Sequence, residues 1–133
     1  MREIKFRGKR TDNGEWVYGY YANWQPSADL DRLGNHWIIT GLEDEQYQVD
    51  PETVGQYVGL QDSNGKDIYE GDICQLKVIK KWKDARHMQG IKAVYYDAIE
   101  ATFKFTGHVP MGWGGFDKVE ILGNTCETPE LLQ

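Results

Sequence analysis

Four acids within one short stretch, Asp62, Asp67, Glu70 and Asp72, cluster closely enough to hold a cation or move a proton. A calcium loop needs oxygen ligands at alternate positions, a Gly at the sixth and a distal Glu. Here the Gly comes fourth, at Gly65, so the acids read as turn residues and solvated charges. Asp72, directly after Gly71, reads as a turn cap accepting backbone N–H groups rather than as a general base. His36, His87 and His108 are scattered, and none pairs with a Cys or a carboxylate at metal-ligand spacing. Gly112-Trp113-Gly114-Gly115 is Gly-rich but lacks the Lys-Ser/Thr ending of a phosphate loop. No catalytic residue, metal ligand or cofactor site is expected, and the chain reads as a non-enzyme.

Two other residue classes could bind a partner. The formal charge of −6 is unevenly spread: residues 1–10 are net +4, 11–76 net −11, 77–92 net +5, and the remainder net −4. Small β-barrels bind single-stranded nucleic acid by stacking bases on aromatics beside Lys and Arg. Arg7, Lys9 and Arg10, with Lys80, Lys81, Lys83 and Arg86, could supply such a phosphate track. The competing reading is a solvated strand face and a charged loop offset by the acidic middle, since non-specific nucleic-acid binding usually accompanies net positive charge. The aromatics are the second class. Trp16, Tyr18, Tyr20 and Trp24 recur at period two and share one strand face. That stripe is either core or a contact surface of the aromatic-plus-Arg kind that anchors protein interfaces.

The elements that must carry these residues are short strands. Residues 1–10 alternate, with Ile4 and Phe6 on one face and Glu3, Lys5 and Arg7 on the other. Asp12-Asn13-Gly14 turns the chain into a return strand over 15–24, and 25–35 reads as an exposed loop. Brief strands follow at 36–40 and 47–49, and Asp50-Pro51-Glu52-Thr53 reads as a cap and first helical turn. Asn64-Gly65 predicts a two-residue hairpin loop with both residues at positive φ. Strand 73–82 turns Cys74, Leu76, Val78 and Trp82 to one face. Residues 91–99 are apolar on both faces, as in a strand covered on two sides. Ala101, Phe103 and Phe105 alternate with Thr102, Lys104 and Thr106; 83–90 and 107–116 read as loops. A last strand around Val119 and Ile121 ends at Gly123-Asn124, and Thr128-Pro129 predicts a terminal helical turn with Thr as cap.

At 133 residues, 40% hydrophobic and 13% aromatic, the chain can close a real core in which five Trp and eight Tyr share the work of Leu and Ile. No apolar run approaches the ~20 residues needed to cross a bilayer, and the basic start leads into no signal-peptide-like segment, so the default is cytosolic. Cys74 and Cys126 sit in no C-x-x-C pattern and read as reduced and structural.

The sequence also resembles the YopX family of bacteriophage and prophage proteins. The matching residues are Phe6-Arg7-Gly8-Lys9 and Trp16-Val17-Tyr18-Gly19, then Thr53-Val54-Gly55-Gln56-Tyr57, Gly59-Leu60, Asp62, Gly65-Lys66, Ile68-Tyr69 and Glu70-Gly71-Asp72-Ile73. Gly123-Asn124, Glu127 and Pro129-Glu130-Leu131-Leu132 complete the set. The resemblance implies an N-terminal β segment followed by an SH3-like barrel, a phage or prophage origin, and residence in the bacterial cytoplasm. It brings no established activity. The resulting expectation is a mainly β protein. A hairpin arm over 1–52 precedes a unit over 53–133, with the barrel at 53–125 and a short C-terminal helical turn. It should act as a binding or adaptor module contacting a protein partner or a second copy of itself.

Overall fold

The computed structural model describes residues 3–23, 36–41, 45–79, 83–112 and 114–133. Expectations for Trp24, the 25–35 loop, Lys80, Lys81, Trp82 and Trp113 fall outside these residues, as does the side chain of Lys83. The chain divides into two compact units, 1–57 and 58–133.

In the first unit the alternating start becomes β1 (Phe6–Lys9) and the Asp12-Asn13-Gly14 turn leads into β2 (Trp16–Asn23). β3 (His36–Ile39), β4 (Gln46–Gln48) and the start of β5 (Gly55–Gln61) complete an antiparallel sheet in the order β4-β3-β2-β1-β5. Register decides which side chains go inside. Phe6 lies opposite Gly19 and Arg7 opposite Tyr18. The even-numbered residues of β1 therefore share a face with the odd-numbered residues of β2. That face holds Phe6 against Tyr21 at 5.7 Å, with Tyr21 stacked on His36 and bonded to it, OH to Nδ1, at 2.5 Å. Burial raises the Tyr21 pKa. Ile38 and Val49 are fully buried. Gly19 is required here, because a Cβ would lie 2.1 Å from the backbone oxygen of Ile39. Asp50 caps the 3-10 turn Pro51–Thr53 by accepting from the Glu52 N–H, with Pro at its first turn as expected.

β5 runs on into the second unit, where it pairs with β6 (Asp67–Tyr69). The turn between them differs from the sequence expectation. Asp62 N–H donates to Lys66 C=O, leaving a three-residue loop, Ser63-Asn64-Gly65, in which Gly65 takes the left-handed backbone at φ +82°. The cause is Asp62. One carboxylate oxygen accepts from both the Asn64 and the Lys66 N–H, at 2.9 Å each, and this local bonding favours the longer loop over the two-residue form.

β7 (Asp72–Val78), β8 (Gly90–Asp97), β9 (Thr102–Phe105), β10 (Val109–Pro110) and β11 (Phe116–Asn124) form a second antiparallel sheet, ordered β10-β9-β8-β7-β11. Its ladder is open, with β10 and β11 at its two ends, rather than a closed barrel ring. Bulges near Phe116 and Ile121 bend the long β11. Ile68, Cys74, Leu76, Val94, Phe105 and Val109 form the core, with Phe116 edge-on to Phe105 at 5.8 Å.

The alternation of Cys74, Leu76 and Val78 holds, although the described strand ends at Val78. Residues 83–88 form a 3-10 turn rather than a loop, and 109–110 pair as a short strand. The strand read over 91–99 is covered less than its composition suggested. Ile91 and Tyr96 are exposed, and Ile99 stands 96% exposed in the turn after Asp97. Lys104, which alternates with Phe103 and Phe105, is also buried, because Asp97 at 3.1 Å and Glu100 at 2.5 Å hold its ammonium. Those bonds, to Glu100 first, raise the Lys104 pKa, and the bond from Lys104 lowers that of Asp97. The terminal helical turn, Pro129–Leu132, forms with Thr128 at the cap position. The Thr128 hydroxyl does not cap the turn; it bonds the backbone N–H and C=O of Asn124.

Candidate interaction face

The outward side of the first unit's sheet carries the functional candidates. Cross-strand register aligns Arg7 with Tyr18 and Lys9 with Trp16, so cations of β1 lie beside rings of β2. The Arg7 guanidinium sits 4.7 Å and the Lys9 ammonium 5.6 Å from the Trp16 ring centroid. Next along β1, Lys5 lies 5.0 Å from the ring of Tyr57, which enters from β5, where the Tyr57 N–H donates to Lys5 C=O. Each pairing sets a positive charge against the electron-rich face of a ring, which is favourable by about 0.5–2 kcal/mol depending on exposure. Arg7 is buried in this array, whereas Tyr18 is 50% and Tyr20 63% exposed. Tyr57 entered the sequence reading only through the family resemblance and not as a contact residue; its place opposite Lys5 comes from strand pairing.

The stripe Trp16, Tyr18, Tyr20 thus occupies the outer side of its sheet while Val17, Gly19 and Tyr21 take the inner one. Of the cations expected to track phosphates, Arg7 and Lys9 belong to this face. Arg10 does not: it alternates to the other side, stacks on Tyr47 at 4.3 Å, and makes a two-armed pair with Asp12 at 2.9 and 2.7 Å. That bonding raises the Arg10 pKa and lowers that of Asp12. Tyr47 donates to Glu45, a bond that raises the phenol's pKa. Arg86 lies on the 83–88 turn of the second unit.

The acids of the central stretch are occupied in another way. Asp62 also accepts the Ile121 N–H at 3.1 Å, so three backbone donors meet one carboxylate. Burial pushes its pKa up, but the N–H groups of Lys66, Ile121 and Asn64 together outweigh that and leave it lowered. Next to it, Ser63 exchanges bonds with Val119: its N–H donates to Val119 C=O at 2.8 Å, and its hydroxyl accepts the Val119 N–H at 2.9 Å. The turn therefore satisfies one edge of β11. Asp72, almost fully buried, accepts the Tyr69 N–H at 2.8 Å, as a turn cap should. Asp67 accepts from Gln61. Among the described residues no group of His, Cys, Asp or Glu is arranged to hold a metal ion. His36 bonds Tyr21, and His108, at φ +61°, bonds the Tyr95 hydroxyl at 3.2 Å. Cys74 is buried with its thiol pushed up to about 12, chiefly by desolvation, whereas Cys126 is exposed. No described helix is long and apolar enough to cross a membrane.

Comparison with known proteins supplies the context. No curated protein matches the sequence. Among solved structures, the crystal structure of protein EF1440 from Enterococcus faecalis is similar over 100% of both chains, with a TM-score of 0.56 at 21% identity. That likeness is one of fold. The family model described as YopX protein matches residues 5–133. With all but the first four positions covered, the chain belongs to the YopX protein family.

Proposed function

We propose that this protein is a phage or prophage accessory factor of the bacterial cytoplasm. It acts without catalysis, as a binding module whose protein contact is made by Trp16, Tyr18 and Tyr20. The observation that carries this reading is the exposure of Tyr18 and Tyr20 beside a Trp16 already flanked by Arg7 and Lys9. Large rings left in water forgo the gain of burial, and contiguous exposed apolar surface marks interaction sites. Tyr, Trp and Arg are also the residues that dominate interface hot spots, since each offers wide contact area with few rotors and a polar tip. A second copy of the chain is the partner of choice under this reading. The exposed rings of Tyr18 and Tyr20 are the surface that a copy would cover.

Light scattering coupled to size exclusion tests it. The wild type should elute as an oligomer, and the Tyr18→Ser/Tyr20→Ser double variant as a folded monomer. A wild type that is strictly monomeric would remove self-association. Retention of the same host proteins by wild type and double variant in a pull-down from infected cells would then remove the face itself.

A further inference from the structure

In the second unit, β7 and β11 bring Lys77 directly opposite Lys118, and Gln75 opposite Glu120. Like charges facing each other across an antiparallel pair are destabilising. Glu120 relieves one of them, holding the Lys118 ammonium at 2.8 Å and raising its pKa. Lys77 remains exposed, and the 83–88 turn adds the guanidinium of Arg86. Lys77, Arg86 and Lys118 line one cleft of about 660 Å³, together with the amides of Gln75 and Gln89. None of the described lining residues is acidic. The volume falls within the range of small-ligand sites, and the charge in the lining comes from three cations set among Leu76, Gly90 and two amides. Several cations and two amide donors around one opening are the chemistry that recognises phosphate oxygens. The guanidinium can grip two oxygens at once, and the ammonium groups supply point charge.

We propose that this cleft binds a phosphate-bearing anion through Lys77, Arg86 and Lys118. The bound anion offsets what the Glu120–Lys118 pair leaves of the repulsion between Lys77 and Lys118. The phosphate comes either from a free polyphosphorylated small molecule or from the backbone of a single strand. The assignment is independent of the aromatic face of the first unit.

The test uses two probes on the full chain at low ionic strength: inorganic tripolyphosphate by calorimetry and a fluorescein-labelled oligothymidine by anisotropy. Lys77→Gln and Arg86→Gln should each weaken binding about tenfold, the value of one charge-assisted bond. Each should also lower the magnitude of the salt slope for the oligonucleotide by about one. The urea midpoint of Lys77→Gln should equal or exceed that of wild type because a repulsive pair is gone, which separates lost binding from lost folding. The exposed Arg86→Gln gives a second variant free of strand effects. Binding of tripolyphosphate alone assigns a free phosphorylated ligand, and binding of the oligonucleotide with loss in both variants assigns a strand. Absence of binding by both probes, or binding that both variants leave unchanged, overturns the proposal.

Discussion

In the first unit the rings of Trp16, Tyr18 and Tyr20 stand on the outside with cations laid against them, and the inside is filled by Ile38, Val49, Phe6 and Tyr21. In the second unit the arrangement is reversed. Phe105 and Phe116 are packed inward, and the polar residues drawn inside include, beside the ion-paired Lys104, two carboxylates, Asp62 and Asp72, spent on backbone N–H groups. The same two residue classes thus serve different ends. Where aromatics can be spared from the core they become surface available to a partner. Where acids can reach orphan backbone donors they become structure rather than chemistry.

The sharpest way to break that contrast is Asp62→Ala. It strips three backbone donors of their acceptor, and unmet buried groups cost about 1–3 kcal/mol each. With partial rescue by water, a loss of about 3 kcal/mol in urea unfolding is expected. A loss below about 0.5 kcal/mol, the range of ordinary surface substitutions, would mean that the turn is ornamental. Next in size is Gly19→Ala, where the new methyl meets the Ile39 carbonyl backbone, which cannot rotate away. Crowding of this kind costs about 1–3 kcal/mol, again read from the urea midpoint.

A smaller effect concerns acid. The Asp62 pKa is lowered in the folded state, so its contribution is fully present above the ordinary value of 3.8 and is lost as pH falls through the lower folded value. Asp62→Asn should therefore be less stable than wild type near neutrality and lose less on acidification. Circular dichroism melts across that interval measure the difference between the two slopes. Smallest of all is Tyr20→Ser in the first unit, expected to shift unfolding by no more than about 0.5 kcal/mol because the ring faces water. A large loss would place Tyr20 among structural residues and end the contrast between the units.

Much of the architecture was legible because period-two patterning is local. β1, β2, β7 and β9 were all visible, as were the capped turn at Asp50-Pro51 and the terminal turn at Pro129. What the pattern could not say was which side of β2 faces inward. That depends on register against β1 and on the room Gly19 makes for β3, both non-local. The burial of Lys104 could not be read from alternation, because its partners Asp97 and Glu100 reach it only across the β8–β9 turn, where Ala101 adopts φ +54°. The loop length at Asn64-Gly65 was misread for a similar reason. The propensity of the pair was clear, but the Asp62 carboxylate two positions earlier set the outcome. The cleft of Lys77 and Lys118 was invisible as a cleft, since only strand pairing brings 77 to 118.

The bond from the Ile121 N–H to Asp62 joins residues 59 positions apart, and it bears on how the chain folds as it is made. At a translation rate of about 5–20 residues per second, the Asp62 turn waits roughly 3–12 s before its partner strand has even been synthesised. During that interval the nascent β5–β6 hairpin carries open acceptors and an uncovered apolar side. The ribosome-bound intermediate should be protease-sensitive until the final strand clears the exit tunnel, and only then acquire resistance in a single step.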